Sequence, residues 1–208
     1  MRLNRRDIAL AALELVEERG SEALTMRQLA ARVNRQPSSL YNHVSGRQAV
    51  IEEMRALIVE TIDVSAFARL PWPEALADWG RSYLAAFARY PNSISLLATT
   101  TITDHSTLRM YEVVIQALVR GGWRSGDAVA GMRAVEAFVL GAALDRVAPE
   151  SLLSVEALPP GLPALRDGLT GDNARHANAA AGFELGFGVL IEGFRLRIDG
   201  VLGRTDTL

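Results

Sequence analysis

The sequence predicts an all-α fold: a small three-helix unit at the N-terminus, one connector helix, and a larger helical body. Three observations carry this. Apolar residues recur at three-to-four-residue spacing in segment after segment. Asn4 with Asp7, Thr25 with Gln28, and Ser45 with Gln48 have the side-chain spacing of helix N-caps. Gly20, Pro71, Pro73, Pro91, Gly121 and Gly122 punctuate the chain where those periodic segments end.

The first helix starts after Asn4 and stops at Gly20, with Ile8, Leu10, Ala11, Leu13, Leu15 and Val16 as its apolar residues. The stretch 24–47, LTMRQLAARVNRQPSSLYNHVSGR, organises the rest. A helix opens at Met26, carries Leu29, Ala30 and Val33 on one face, and ends at Asn34, which tolerates a left-handed backbone. Pro37 suits a first helical position, and a second helix runs from there to 43. Ser45 and Gln48 then launch a third. Ala9, Leu13, Val16, Leu24, Leu29, Val33, Leu40 and Val44 are the expected core of this unit.

Two short helices joined by a tight turn have the layout of a helix-turn-helix. The second is too short and too polar to stand alone: only Leu40 and Val44 anchor it, beside Ser38, Ser39, Tyr41, Asn42 and His43. Its outer face needs a partner, and a DNA major groove has the right dimensions. From spacing alone, a capped surface hairpin of no special function is the alternative.

The run LTMRQLAARV…PSSLYNHV…R, above all Leu40-Tyr41-x-His43-Val44 with Arg47 three further on, resembles the DNA-binding segment of the TetR family of transcriptional regulators, in its tetracycline-repressor branch. The segments YEVVIQALVRGGW and FVLGAALD resemble the body of the same branch. The resemblance implies a DNA-binding domain over 1–46 and an effector-binding and dimerisation domain over 47–208, with a connector helix over 47–64. It further implies that Thr25 contacts phosphate, Arg27 reads a base or binds phosphate, and Pro37, Ser38, Ser39, Tyr41 and His43 form the recognition face. Arg47 would clamp the DNA backbone. Asn34 stands where the family usually has glycine, and Arg35 where it usually has an apolar residue.

Composition is compatible. Residues 1–50 hold eight arginines against five acids (+3), leaving fourteen arginines and nineteen acids (−5) for the remainder. A basic end on an acidic body suits phosphate contact at one end. The chain has no cysteine, so disulfides and thiolate chemistry are excluded. Met1 leads straight into polar, charged residues rather than a signal peptide, and no apolar run is long enough for a membrane span; a cytoplasmic protein is expected.

Beyond the connector, helices are expected over 73–90, 93–99, 106–120, 125–147 (capped by Ser125) and 175–199, with a loop over 149–171. Trp79, Tyr83 and Phe87 recur every fourth residue on one side, as either core or pocket wall. The expected effector pocket comprises Trp79, Tyr83, Phe87, Leu97, Thr100, His105, Tyr111, Val114, Met132 and Phe138, apolar and aromatic with few polar groups. Such a wall suits a lipophilic or aromatic small molecule. The branch's drug-bound magnesium needs a histidine that the stretch 94–99 lacks, so neither a metal nor a cofactor is expected.

The helices 125–147 and 175–199 are apolar on most sides, which calls for burial against a second copy in a homodimer. Two rival readings stand beside the regulator. Asp104-His105-Ser106 contains the residue types of a catalytic triad, but neighbours in sequence cannot adopt its geometry. A sequence-independent DNA architectural protein would not need so large a body.

Overall fold

The computed structural model describes residues 3–146 and 153–205, with side chains through residue 200, and every regular element among them is helical. Helix α1 (Arg5–Arg19) begins on a reciprocal cap: the Asp7 amide donates to Asn4 Oδ1 at 2.9 Å, and the Asn4 amide to Asp7 Oδ2 at 3.2 Å. Helix α2 (Met26–Arg32) is capped by Thr25, whose hydroxyl accepts from the Gln28 amide at 3.2 Å. The turn after it passes through Asn34 at φ 51°, the left-handed conformation expected there.

Helix α3 (Pro37–Tyr41) is shorter than predicted. The Leu40 carbonyl accepts from both the His43 and Val44 amides, closing a turn that places His43 past the helix end. Helix α4 (Arg47–Val59) has no side-chain cap: Gly46, at φ +154°, occupies the cap position, so Ser45 cannot serve as expected. The connector also ends earlier than residue 64. Thr61 Oγ1 donates back to the Ile58 carbonyl at 2.7 Å, and Asp63 takes the Ser65 amide at 2.7 Å, offering the backbone a turn in place of another helical step.

Ala9, Leu13, Val16, Leu24, Leu29, Leu40 and Val44 are buried as predicted. Val33 is only half-buried, because α2 stops at Arg32. Arg32 locks α2 to α1, its Nη2 lying 2.9 Å from Glu14 and 2.7 Å from Glu18. That guanidinium holds the Glu18 carboxyl below its ordinary range, chiefly through the hydrogen bond. Ion pairs run from α1 to α4 (Arg5–Glu53, 3.3 Å) and to the residue just past its end (Arg6–Glu60, 3.0 Å).

The body comprises α5 (Trp72–Phe87), α6 (Ile94–Ala98), α7 (His105–Arg120), α8 (Ser125–Asp145), α9 (Pro163–Gly168) and α10 (Ala179–Thr205). The segment expected over 93–99 is a 3₁₀ turn, Pro91–Ser93, followed by α6. Asp104 caps α7, accepting from the Thr107 amide at 2.7 Å. Ser125 is the first residue of α8 rather than its cap. The expected 149–171 loop contains α9 in its described part; 149–152 lie outside the described residues. The last helix starts four residues late, at Ala179, because Asn178 Oδ1 takes the Ala181 amide at 2.9 Å.

Helix α5 packs against α8 and α10, and α7 packs against α8 and α4. Phe187, almost wholly buried, brings the tip of its ring against Gly80, where a Cβ would collide with it. Gly80→Ala is therefore expected to cost about 1–3 kcal/mol, as overpacking does. Urea denaturation should report the loss while far-UV circular dichroism stays unchanged.

Candidate functional site

Two surfaces carry the residues singled out by the sequence. The first is the outer face of α2 and α3. Leu40 is fully buried, while the adjacent Tyr41 is 54% exposed, so its ring stands outside the core. Thr25, Arg27 and Ser38 are exposed, and Pro37, Ser39 and His43 are half-buried along the same segment. Arg47 has a role the sequence did not suggest. Its Nε donates to the Leu24 carbonyl at 2.8 Å, tying the start of α4 to the entry of α2. Arg5 and Arg6 are engaged by Glu53 of α4 and by Glu60 just past its end.

The second surface is a cavity of about 720 Å³ between α4, α5, α7, α8 and the segment that follows α6. Six predicted residues line it: Tyr83, Phe87, Leu97, Thr100, Tyr111 and Met132. Four do not. Trp79 and Val114 are fully buried core. Phe138 turns to α10, its ring centroid 5.8 Å from Phe183 and 5.9 Å from Phe187. His105 is exposed at the first residue of α7. The stripe Trp79-Tyr83-Phe87 thus divides: its first ring is core and the other two are wall.

The wall is also more polar than predicted. Arg55, Glu112, Arg133 and Glu136 all line it. Glu136 Oε1 accepts from Tyr83 Oη at 3.0 Å and from Tyr111 Oη at 2.6 Å. Burial pushes the Glu136 carboxyl up, and these two hydroxyls draw it partly back. Burial likewise raises both phenols, so they remain protonated donors. Arg55 is buried on α4 and reaches across: Nη1 donates to the Leu97 carbonyl and Nη2 to the Thr100 carbonyl, each at 3.0 Å. One turn earlier Glu52 Oε2 takes the Thr103 amide (2.8 Å), the Thr103 hydroxyl (3.0 Å) and the Asp104 amide (2.7 Å).

The connector helix therefore holds the segment 97–104, part of the cavity wall, by its own side chains. Sequence reasoning missed Arg55 and Glu136, yet a signal existed. Each is a charged residue inside an apolar helical run, MRALIV and VEAFVL, where an unpartnered charge is costly.

A helix-turn-helix head joined by one helix to a hollow helical body is the architecture of a ligand-responsive transcriptional regulator. Residues 8–54 match the model of bacterial regulatory proteins of the tetR family, and residues 69–198 that of the tetracyclin repressor-like C-terminal domain. The chain belongs to the tetR family. It is 28% identical over 212 residues to the class D tetracycline repressor protein of Escherichia coli, covering 97% of this chain and 93% of that one. The class A repressor, also from Escherichia coli, is 28% identical over 200 residues, 90% and 88% of the two chains. Among solved structures, a possible TetR family regulator from Streptomyces coelicolor A3(2) superposes with a TM-score of 0.73 at 27% identity, covering 93% of this chain and 99% of that one. A variant TetR from Acinetobacter baumannii AYE, in complex with minocycline, gives 0.73 at 26% identity, covering 93% and 94%. Among the described residues no helix is long and apolar enough to cross a membrane.

Proposed function

We propose that the protein is a repressor, acting in the cytoplasm as a homodimer that leaves a palindromic operator when a small lipophilic, aromatic molecule enters the body. Residues 1–46 form the DNA-binding head and 47–208 the effector and dimerisation body. Thr25, Arg27, Pro37, Ser38, Ser39, Tyr41, His43 and Arg47 are the DNA-facing set, with hydroxyls and arginines directed at phosphates and base edges. In the dimer, two α3 helices would enter successive major grooves about 34–36 Å apart. The observation that carries this reading is Tyr41, an aromatic side chain left 54% exposed on a five-residue helix whose Leu40 is the one buried residue.

Two apolar rows support the homodimer. On α10, Leu185 (73% exposed), Val189 (66%) and Leu196 (59%) follow one face, spaced by Gly182 and Gly193. On α8, Ala130, Ala134, Ala137, Gly141 and Leu144 follow a four-three-four-three spacing, all exposed. Helices α8 and α10 pack side by side, so the rows form one face that fits a four-helix contact with a second copy.

The effector step would run through Arg55 and Glu52. A ligand that displaces the Thr100–Ile102 wall moves the groups these side chains hold, and with them α4 and the head. Such release is a shift between two states, as large as the ligand's differential affinity.

A gel-shift titration on DNA flanking the protein's own gene, with excess non-specific competitor, tests the DNA half. Saturable binding that survives competitor is expected. Tyr41→Ala should weaken it about tenfold or more, a loss of at least one good contact, with the unfolding midpoint unchanged. Loss of folding in that variant would return Tyr41 to a packing role.

A further inference from the structure

We infer that the effector is a lipophilic aromatic cation and that Glu136 is the residue that selects its charge; this rests on the reading of the cavity as the effector site. The two hydrogen bonds to Glu136 both fall on Oε1, from Tyr83 and Tyr111. Oε2 takes none from the described residues, and it is not among the polar atoms sealed away from solvent. Because Glu136 lines the cavity, that oxygen is open to whatever enters. Both tyrosine hydroxyls donate to Oε1, which leaves Oε2 as the oxygen that can meet a donor from a ligand.

No arginine among the described residues lies within ion-pair distance of Glu136. Arg55, the buried cation of the wall, is committed elsewhere. Beyond its two carbonyls, it lies 3.7 Å from Asp104 Oδ2 and 3.9 Å from Glu52 Oε1. It therefore makes no direct ion pair with Glu136, although its charge favours the ionised carboxyl from a distance. Arg133 is exposed at the rim.

The cavity thus encloses a carboxyl group whose hydrogen-bond partners among the described residues are neutral hydroxyls, with Arg55 and Arg133 acting on it only from a distance, and a cationic ligand would give it a direct partner. Tyr83 and Phe87, both in the wall, stack with ring centroids 4.8 Å apart and planes 6° from parallel. A planar ring system can extend such a stack, and a carboxylate beside it would attract a positive charge carried on the ligand. The recognised chemistry is a protonated amine on a planar ring system.

Three fluorescent probes sharing one frame test this on the whole protein without DNA: anthracenylmethylammonium, anthracenylmethanol and anthracene carboxylate. The wild type should bind the ammonium at least about tenfold more tightly than the alcohol, and the carboxylate most weakly. In Glu136→Gln, whose amide oxygen can still accept from both tyrosines, the ammonium preference should vanish while affinity for the alcohol holds. Circular dichroism confirms folding, and should the variant not fold, the wild-type ranking decides alone. Equal binding of ammonium and alcohol, or tightest binding of the carboxylate, overturns the charge inference and leaves the cavity reading standing. An ammonium preference that survives in folded Glu136→Gln overturns the assignment to Glu136. Failure of all three probes to bind overturns the inference and the effector-site reading together.

Discussion

Replacing Leu185 with Glu and Val189 with Arg is expected to yield a folded monomer that has lost its operator. Both side chains stand in solvent in the isolated chain, 73% and 66% exposed, so charging them leaves the internal packing intact. The same charges in the middle of an apolar contact would be desolvated on dimerisation, at a cost of several kcal/mol each before any pairing. A dimer gripping two half-sites gains about 10²–10⁴ over a single head through effective concentration alone. Operator affinity should fall within that range, although Tyr41 and Arg27 are untouched. Sedimentation or light scattering reads the monomer, gel shift reads the lost affinity, and urea denaturation reads the retained fold. A variant that remains a dimer would move the interface away from α10.

Arg55→Leu is expected to separate ligand binding from DNA release. The substitution leaves the Leu97 and Thr100 carbonyls without their donor and strands Asp104 and Glu52 beside an apolar side chain. Removing one partner of a buried charged cluster costs about 3 kcal/mol or more. Stability should fall by about that amount. The larger consequence is functional. Arg55 Nε and Asp104 Oδ2 lie 3.7 Å apart, buried, with no hydrogen bond between them. Movement of 97–104 would change this separation directly, and with it the grip of Arg55 on the segment. A ligand that lowers wild-type operator affinity by the usual coupling of about 5–150-fold should lower that of the variant hardly at all. Titrating operator DNA with and without ligand measures both ratios. Equal ratios would place transmission elsewhere, for example where Glu17 of α1 takes the Asn92 and Ser93 amides at 3.1 and 3.0 Å.

The helix-turn-helix was legible because its signals are local. The Thr25 cap, the left-handed Asn34, Pro37 at a helix start and the buried Leu40 each depend on a few neighbouring residues, and each stands where the spacing put it. Where local reading failed, a competing local contact prevailed. Gly46 displaced Ser45 as a cap, Asp63 and Thr61 ended the connector early, and Asn178 delayed the last helix. The cavity was half legible. A four-residue aromatic stripe says that Trp79, Tyr83 and Phe87 share a side, but not where along that side the core stops and the hollow begins.

The sequence by itself determined the all-α class, the helix-turn-helix layout of the head, the order of the helices and the apolar character of α8 and α10. These follow from periodicity and capping, whose range is a helical turn. Only the tertiary structure decided that Glu136 meets Tyr83 and Tyr111, and that Arg55 reaches the carbonyls of Leu97 and Thr100. Those partners lie 25 to 53 residues away in the chain. No local pattern encodes such separations. They arise from how α4, α5, α7 and α8 pack, and that packing sets both the charge of the cavity and the grip of the connector upon it.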